Sequence, residues 1–133
     1  ARVLGTNVIV SGLLSPDGPP GRLVDMLIAR RLLLGVDDRI EQEYRNVLAR
    51  PALRIDRERR EAFLAILQFQ VHVTAAPWPH AACPDPDDTM FLEVAFELSE
   101  CILVTGNLRH FPKRCRGPVP VLSPRDAWAV FVS

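Results

Sequence analysis

The sequence carries no surplus of either charge: 16 basic and 16 acidic side chains leave a formal net charge of zero. A chain-wide basic field that would draw in nucleic acid is therefore missing, although the sum leaves room for a local basic face. Cysteine is scarce, at three residues, Cys83, Cys101 and Cys115. No two are spaced as zinc ligands, and the odd count argues against a disulfide framework. Cys101 sits in an apolar run and reads as a small core residue. No apolar run is long enough to cross a bilayer and nothing resembles a signal peptide, so no membrane association and a reducing, cytoplasmic setting are expected. No glycine-rich phosphate loop precedes a helix, no serine lies in a nucleophile elbow, and His72, His80 and His110 form no spacing motif. Repeats, long linkers and low-complexity tracts are absent too, so residues 1–133 read as one domain with one core.

What is present alternates. Hydrophobic residues make up 48% of the chain, enough for a folded core. Apolar runs at 2–4, 32–36, 71–74, 101–104 and 119–122 read as strands. Between them lie helical patterns: 8–14 behind Thr6-Asn7, 21–30, a run from Asp37 or Asp38 to about Ala49, 55–69, Asp88 to about Leu98, and Pro124 to Phe131. Strands alternating with helices predict an α/β protein, a three-layer α/β/α sandwich around a central parallel sheet of four or five strands. Ligands of such sheets bind at the carboxyl ends of the strands.

That rule selects the candidate residues. Asp85, Asp87 and Asp88 crowd the start of the fifth helix. Helix amides and dipole favour acids there, but three carboxylates so close together raise one another's cost of ionisation. A hard divalent cation, Mg²⁺ or Mn²⁺, relieves that cost. Glu43 lies at the edge of the apolar stripe Ile40, Tyr44, Val47 and Leu48, while Glu41 faces elsewhere. It reaches the crevice if the third helix starts near the carboxyl edge; otherwise it is a solvated acid. Asn7 follows the first strand and Asn107 the fourth, each with a neighbouring threonine, Thr6 and Thr105, and Gly106 permits a tight turn beside the latter. Both asparagines would serve equally as caps. Arg50, Arg54, Arg57, Arg59 and Arg60 form the most basic stretch, either a solvated helix face or a surface for a phosphate backbone. Lys113, Arg109 and Arg114 would extend it.

Four ordered motifs resemble those of the bacterial and archaeal PIN domains, in particular the toxin components of toxin–antitoxin systems. Val3-Leu4-Gly5-Thr6-Asn7-Val8 is similar to the family's opening Val-Leu-Asp-Thr-Asn-Val, and Glu43-Tyr44-Arg45-Asn46-Val47-Leu48 to the helix bearing its second acid. Asp85-Pro-Asp-Asp-Thr-Met-Phe-Leu92 resembles the third acidic motif, with Asp88 in the metal-binding position, and Val104-Thr105-Gly106-Asn107 the fourth. The resemblance implies a Mg²⁺- or Mn²⁺-dependent ribonuclease in which metal-activated water cleaves RNA. In that reading Glu43, Asp88, Asn107 and Asp87 serve the metal, while Thr6, Asn7, Asp85 and Thr105 support it. It further implies an antitoxin protein partner and a homodimer, for which the terminal helix and the aliphatics of the first two helices would offer a surface. Gly5 departs from the pattern, since it stands where the family carries its central aspartate, and a weakened or inactive nuclease follows. The alternatives are a degenerate domain that binds RNA or an antitoxin without cleaving, and a small-molecule phosphatase or phosphotransfer domain, which would show a closed pocket rather than an open groove.

Overall fold

The computed structural model describes residues 1–132. Five short strands, β1 (Arg2–Leu4), β2 (Gly35–Val36), β3 (Val71–His72), β4 (Ile102–Val104) and β5 (Val121–Leu122), alternate with six helices. These are α1 (Thr6–Leu14), α2 (Pro19–Ile28), α3 (Asp38–Leu48), α4 (Arg57–Ile66), α5 (Thr89–Glu97) and α6 (Pro124–Val132). Every strand pairing is parallel: β1 with β4 (Leu4 opposite Val104), β4 with β5, and β2 with β3. A lone parallel bridge from Arg2 to Leu34 joins the two small sheets. The strand order is therefore β3-β2-β1-β4-β5, with helices on both faces: an α/β/α sandwich.

The order explains where a ligand belongs. From β1 the chain winds outward through β2 and β3, then returns to the other side of β1 as β4 and continues to β5. Winding reverses between β1 and β4, and at such a switch point the loops leaving the two strands diverge and leave a crevice. Those loops start at Gly5 and Thr105.

The core is one continuous apolar cluster. α5 lies across β1, β2 and β4, while α2 meets α1, α4 and α6. α1 and α2 approach closely at Gly12, where a Cβ would come within 2.5 Å of the Pro20 carbonyl oxygen. Arg59 locks the same corner, its guanidinium donating to Asp25 at 2.8 Å and to the Gly12 carbonyl at 3.0 Å. Arg57 pairs with Glu61 one turn away. The basic stretch is thus divided between fold-holding and exposed roles.

Apart from β1, the strands are shorter than the apolar runs that announced them. Of 32–36, Leu32, Leu34 and Val36 are buried, but only Leu34, Gly35 and Val36 pair as strand. Apolarity reports burial, and here much of it fills core without joining a ladder. Among the described residues no helix is long and apolar enough to cross a membrane.

Candidate active site

Each wall of the crevice is positioned by a local interaction. Gly5 leaves β1 with its N–H donating to the Val104 carbonyl at 2.8 Å and caps α1 with extended backbone alone, offering no side chain. α3 is tied to the same place by Tyr44, a fully buried residue whose hydroxyl donates to the Leu4 carbonyl. Phe63 holds that ring edge-on, centroids 5.8 Å apart. Burial raises the Tyr44 phenol, with the Glu43 carboxylate adding to the effect, so it stays a donor. With Tyr44 anchored under the end of β1, the preceding Glu43 is delivered to the crevice, where the Thr6 hydroxyl donates to its Oε2.

Asp88 arrives from the opposite side. The turn Pro86–Asp88 runs directly into α5, and the Asp85 carboxylate accepts the Asp87 N–H at 2.9 Å to shape it. Asp88 itself makes no capping bond. Its Oδ2 is buried and has no hydrogen-bond partner among the described residues. The His110 Nδ1 lies 3.2 Å from that oxygen, close enough for charge attraction but without the alignment of a hydrogen bond. Burial pushes the Asp88 carboxyl above its ordinary value; a charged His110 opposes this, and Asp85, Glu43 and Asp87 reinforce it.

Gly5, Thr6, Asn7, Glu43, Asp88, Thr105 and His110 line one cavity of about 190 Å³, together with Phe91 and Phe111. Glu43 also borders an open groove of about 510 Å³ between α3 and α5, whose other polar residues include Arg39, Gln42, Asn46, Arg50 and Asp87. Asn7 accepts the Gly106 N–H at 3.3 Å, which ties the β1 loop to the β4 loop. Thr105 Oγ1 accepts the Asn107 N–H at 3.1 Å.

The structure thus brings Glu43, Asp88, Thr6, Asn7 and Thr105 together around Gly5. Asp87 is exposed in the groove beyond them, and Asp85, also exposed, shapes its own turn. Neither supplies the carboxylate that Gly5 lacks. Asn107 accepts the Arg109 N–H at 3.3 Å and caps the turn Leu108–His110; it is not on the cavity wall. His110 is the member that sequence reasoning missed. A lone histidine in an irregular loop carries no spacing signal; the turn that Asn107 caps is what carries it to Asp88.

Whether these residues suit a hard cation turns on the donor set. Among the described residues no three of His, Cys, Asp and Glu come close enough to cage an ion. The orphaned Asp88 oxygen and the facing Glu43 do suit a cation of the Mg²⁺ kind, which keeps several waters and needs one or two carboxylates plus a substrate phosphate. A side chain can start at Gly5. A Cβ built on Gly5 meets Asn7 Oδ1 at 3.1 Å, Val104 O at 3.5 Å and Thr105 Oγ1 at 3.8 Å, so only the end of an asparagine side chain must give.

Comparison with known proteins agrees with this fold. The PIN-domain family profile matches residues 2–109. The uncharacterized protein MJ1680 of Methanocaldococcus jannaschii is 31% identical over 108 residues, covering 79% of this chain and 69% of the relative. No solved structure gives a significant match.

Proposed function

Starting from a chain that belongs to the PIN-domain family, whose members are generally nucleases and usually use divalent metals, we propose a Mg²⁺- or Mn²⁺-dependent ribonuclease domain whose metal site lacks its central carboxylate. The observation that carries this is the convergence of Glu43 and the orphaned Asp88 oxygen on Gly5, at the point where the sheet reverses its winding. Glu43 and Asp88 would hold the cation, and Thr6 fixes the Glu43 carboxylate. The chemistry such a cation supplies is activation of a water and offset of charge on a phosphate. His110 is within reach to offset charge at Asp88 when the cation is gone.

A polymer substrate is favoured over a small phosphate ester because Glu43 lines both the cavity and the open α3–α5 groove. There Arg50 has no partner among the described residues, and the Gln42 and Asn46 amides, 2.8 Å apart, present polar edges to a passing strand. Single-stranded RNA running along this groove would place one phosphate at Asp88 and a neighbouring one at Arg50. Regulation as a cytoplasmic toxin by an antitoxin protein, and homodimer formation, complete the reading on the strength of the motif resemblance.

A second reading has its own support: with Gly5 in place and no three-ligand cluster, the domain would bind RNA or an antitoxin without cutting. Cleavage of single-stranded and structured RNAs in Mg²⁺ and Mn²⁺, by this chain, Gly5→Asp and Gly5→Asp/Asp88→Asn, separates the two. The ribonuclease reading expects weak parent activity, a gain of about 100-fold on restoring the carboxylate, and loss of that gain in the double variant. RNA binding by all three with no cleavage by any supports the binding module instead. Proteins inert in both assays would overturn the ribonuclease reading and RNA binding alike.

A further inference from the structure

The three cysteines are free and buried, and two of them meet. Cys83 and Cys115, 32 positions apart, bring their sulfurs to 3.3 Å. A disulfide needs about 2.0 Å, so a small inward movement of one loop would suffice. The connection around Cys83 lies at the surface. Cys83 lies in the proline-rich connection after β3, where Ala81, Ala82 and Pro84 are exposed and only the cysteine turns inward. Cys115 closes the turn Lys113–Cys115. The two segments are already stitched at a second point, because Trp78 Nε1 donates to the Cys115 carbonyl at 3.0 Å. Each segment leads to one side of the active site: two residues after Cys83 comes Asp85, and five before Cys115 stands His110.

We propose that Cys83 and Cys115 form a redox site, whose disulfide tethers the loop bearing Asp85 and Asp88 to the loop bearing Asn107 and His110. With a peroxide as oxidant, the Cys83 thiolate attacks one peroxide oxygen and breaks the O–O bond, giving a sulfenic acid and, after protonation, water. The Cys115 thiol then displaces the sulfenic hydroxyl; the S–S bond forms, its proton leaves with the hydroxyl as a second water, and the two thiols have lost two electrons to the peroxide. Burial, with the Cys115 thiol beside it, pushes the Cys83 thiol up to about 12, so little thiolate exists while the connection is closed. Oxidation therefore runs through local opening of that connection and is slow beside that of an exposed thiol.

The site is independent of the nuclease reading and is tested without activity. The protein is treated with hydrogen peroxide, unfolded, and its free thiols titrated, with peptide mapping and intact mass in parallel; Cys101→Ala and Cys115→Ala are run beside it. The expected result is a fall from three free thiols to one, a mass lower by two hydrogens, and one cross-linked peptide joining Cys83 to Cys115. The same cross-link forms in Cys101→Ala and is absent in Cys115→Ala. Amide exchange across residues 80–88 slows on oxidation and recovers with dithiothreitol. Retention of all three thiols, a bond to Cys101 or between chains, or over-oxidation of Cys83 with Cys115 still reduced would overturn the proposal. A Cys83–Cys115 bond that leaves exchange unchanged would overturn the tether.

Discussion

Two aspartates head helices at the same edge of the sheet, and they are treated in opposite ways. Asp37, after β2, is buried and has both oxygens engaged. Oδ1 accepts the Ile40 N–H at 2.9 Å and Oδ2 faces the Arg39 guanidinium at 2.7 Å. Arg39 then reaches Glu93 on α5 at 2.8 Å, and the other Glu93 oxygen accepts the Trp78 N–H at 2.8 Å. Asp88 heads α5 with no capping bond and a buried oxygen that accepts no hydrogen bond among the described residues, with only the His110 ring 3.2 Å away. A buried acceptor without a donor costs stability, and a fold can retain such a group when something outside the protein completes it. The first carboxylate belongs to the architecture; the proposed function assigns the second to the chemistry.

Substitutions should separate the two cleanly. The largest effect is expected at Asp37. Alanine there removes the cap of α3 and one of the two carboxylates that hold Arg39, lowering stability by about 2 kcal/mol in urea denaturation. Glu93→Ala comes next, at about 1 kcal/mol, because the Trp78 N–H loses its acceptor while Arg39 keeps Asp37. Asp88→Asn should leave stability unchanged or raise it by a few tenths of a kcal/mol, since it removes a charge that burial disfavours. A loss at Asp88 as large as that at Asp37 would erase the distinction.

The pH dependence sharpens it. Because burial raises the Asp88 carboxyl above its ordinary 3.8, the folded chain holds a proton in that window which the unfolded chain has released. Stability from this group therefore falls as pH rises through the window and is level above it. The stability gap between Asp88→Asn and the parent should open across that window and close below 3.8. The smallest effect is at Arg50, whose side chain makes no hydrogen bond or ion pair among the described residues: Arg50→Ala should weaken single-stranded RNA binding a few-fold at low salt, measured by fluorescence anisotropy, with no change in stability.

Much of this architecture was legible in the residue pattern, and the reasons are local. Asp37 before an amphipathic run marks a helix start through its own capping bond, and the stripe Ile40, Tyr44 and Leu48 marks the buried face, so Glu43 at its edge could be read without coordinates. Gly5 and Thr105 follow apolar runs that the sheet does place side by side. The rest depended on facts no short window contains. Asp85 and Asp87 look equivalent to Asp88 in the chain, but the turn at Pro86 sends them outward. Asn107 matched the family pattern, yet its side chain closes a local turn. His110 and the Cys83–Cys115 contact arise where irregular loops fold back, and there no periodicity exists to read.

The cavity at Gly5 is proposed to be a cation site short of one carboxylate. Calorimetric titration of Mn²⁺ into the parent and Gly5→Asp tests it without any RNA. The account predicts binding tighter by about tenfold or more in Gly5→Asp, lost again when Asp88→Asn is added. Equal affinity in parent and Gly5→Asp, or full affinity without the Asp88 carboxylate, would contradict it.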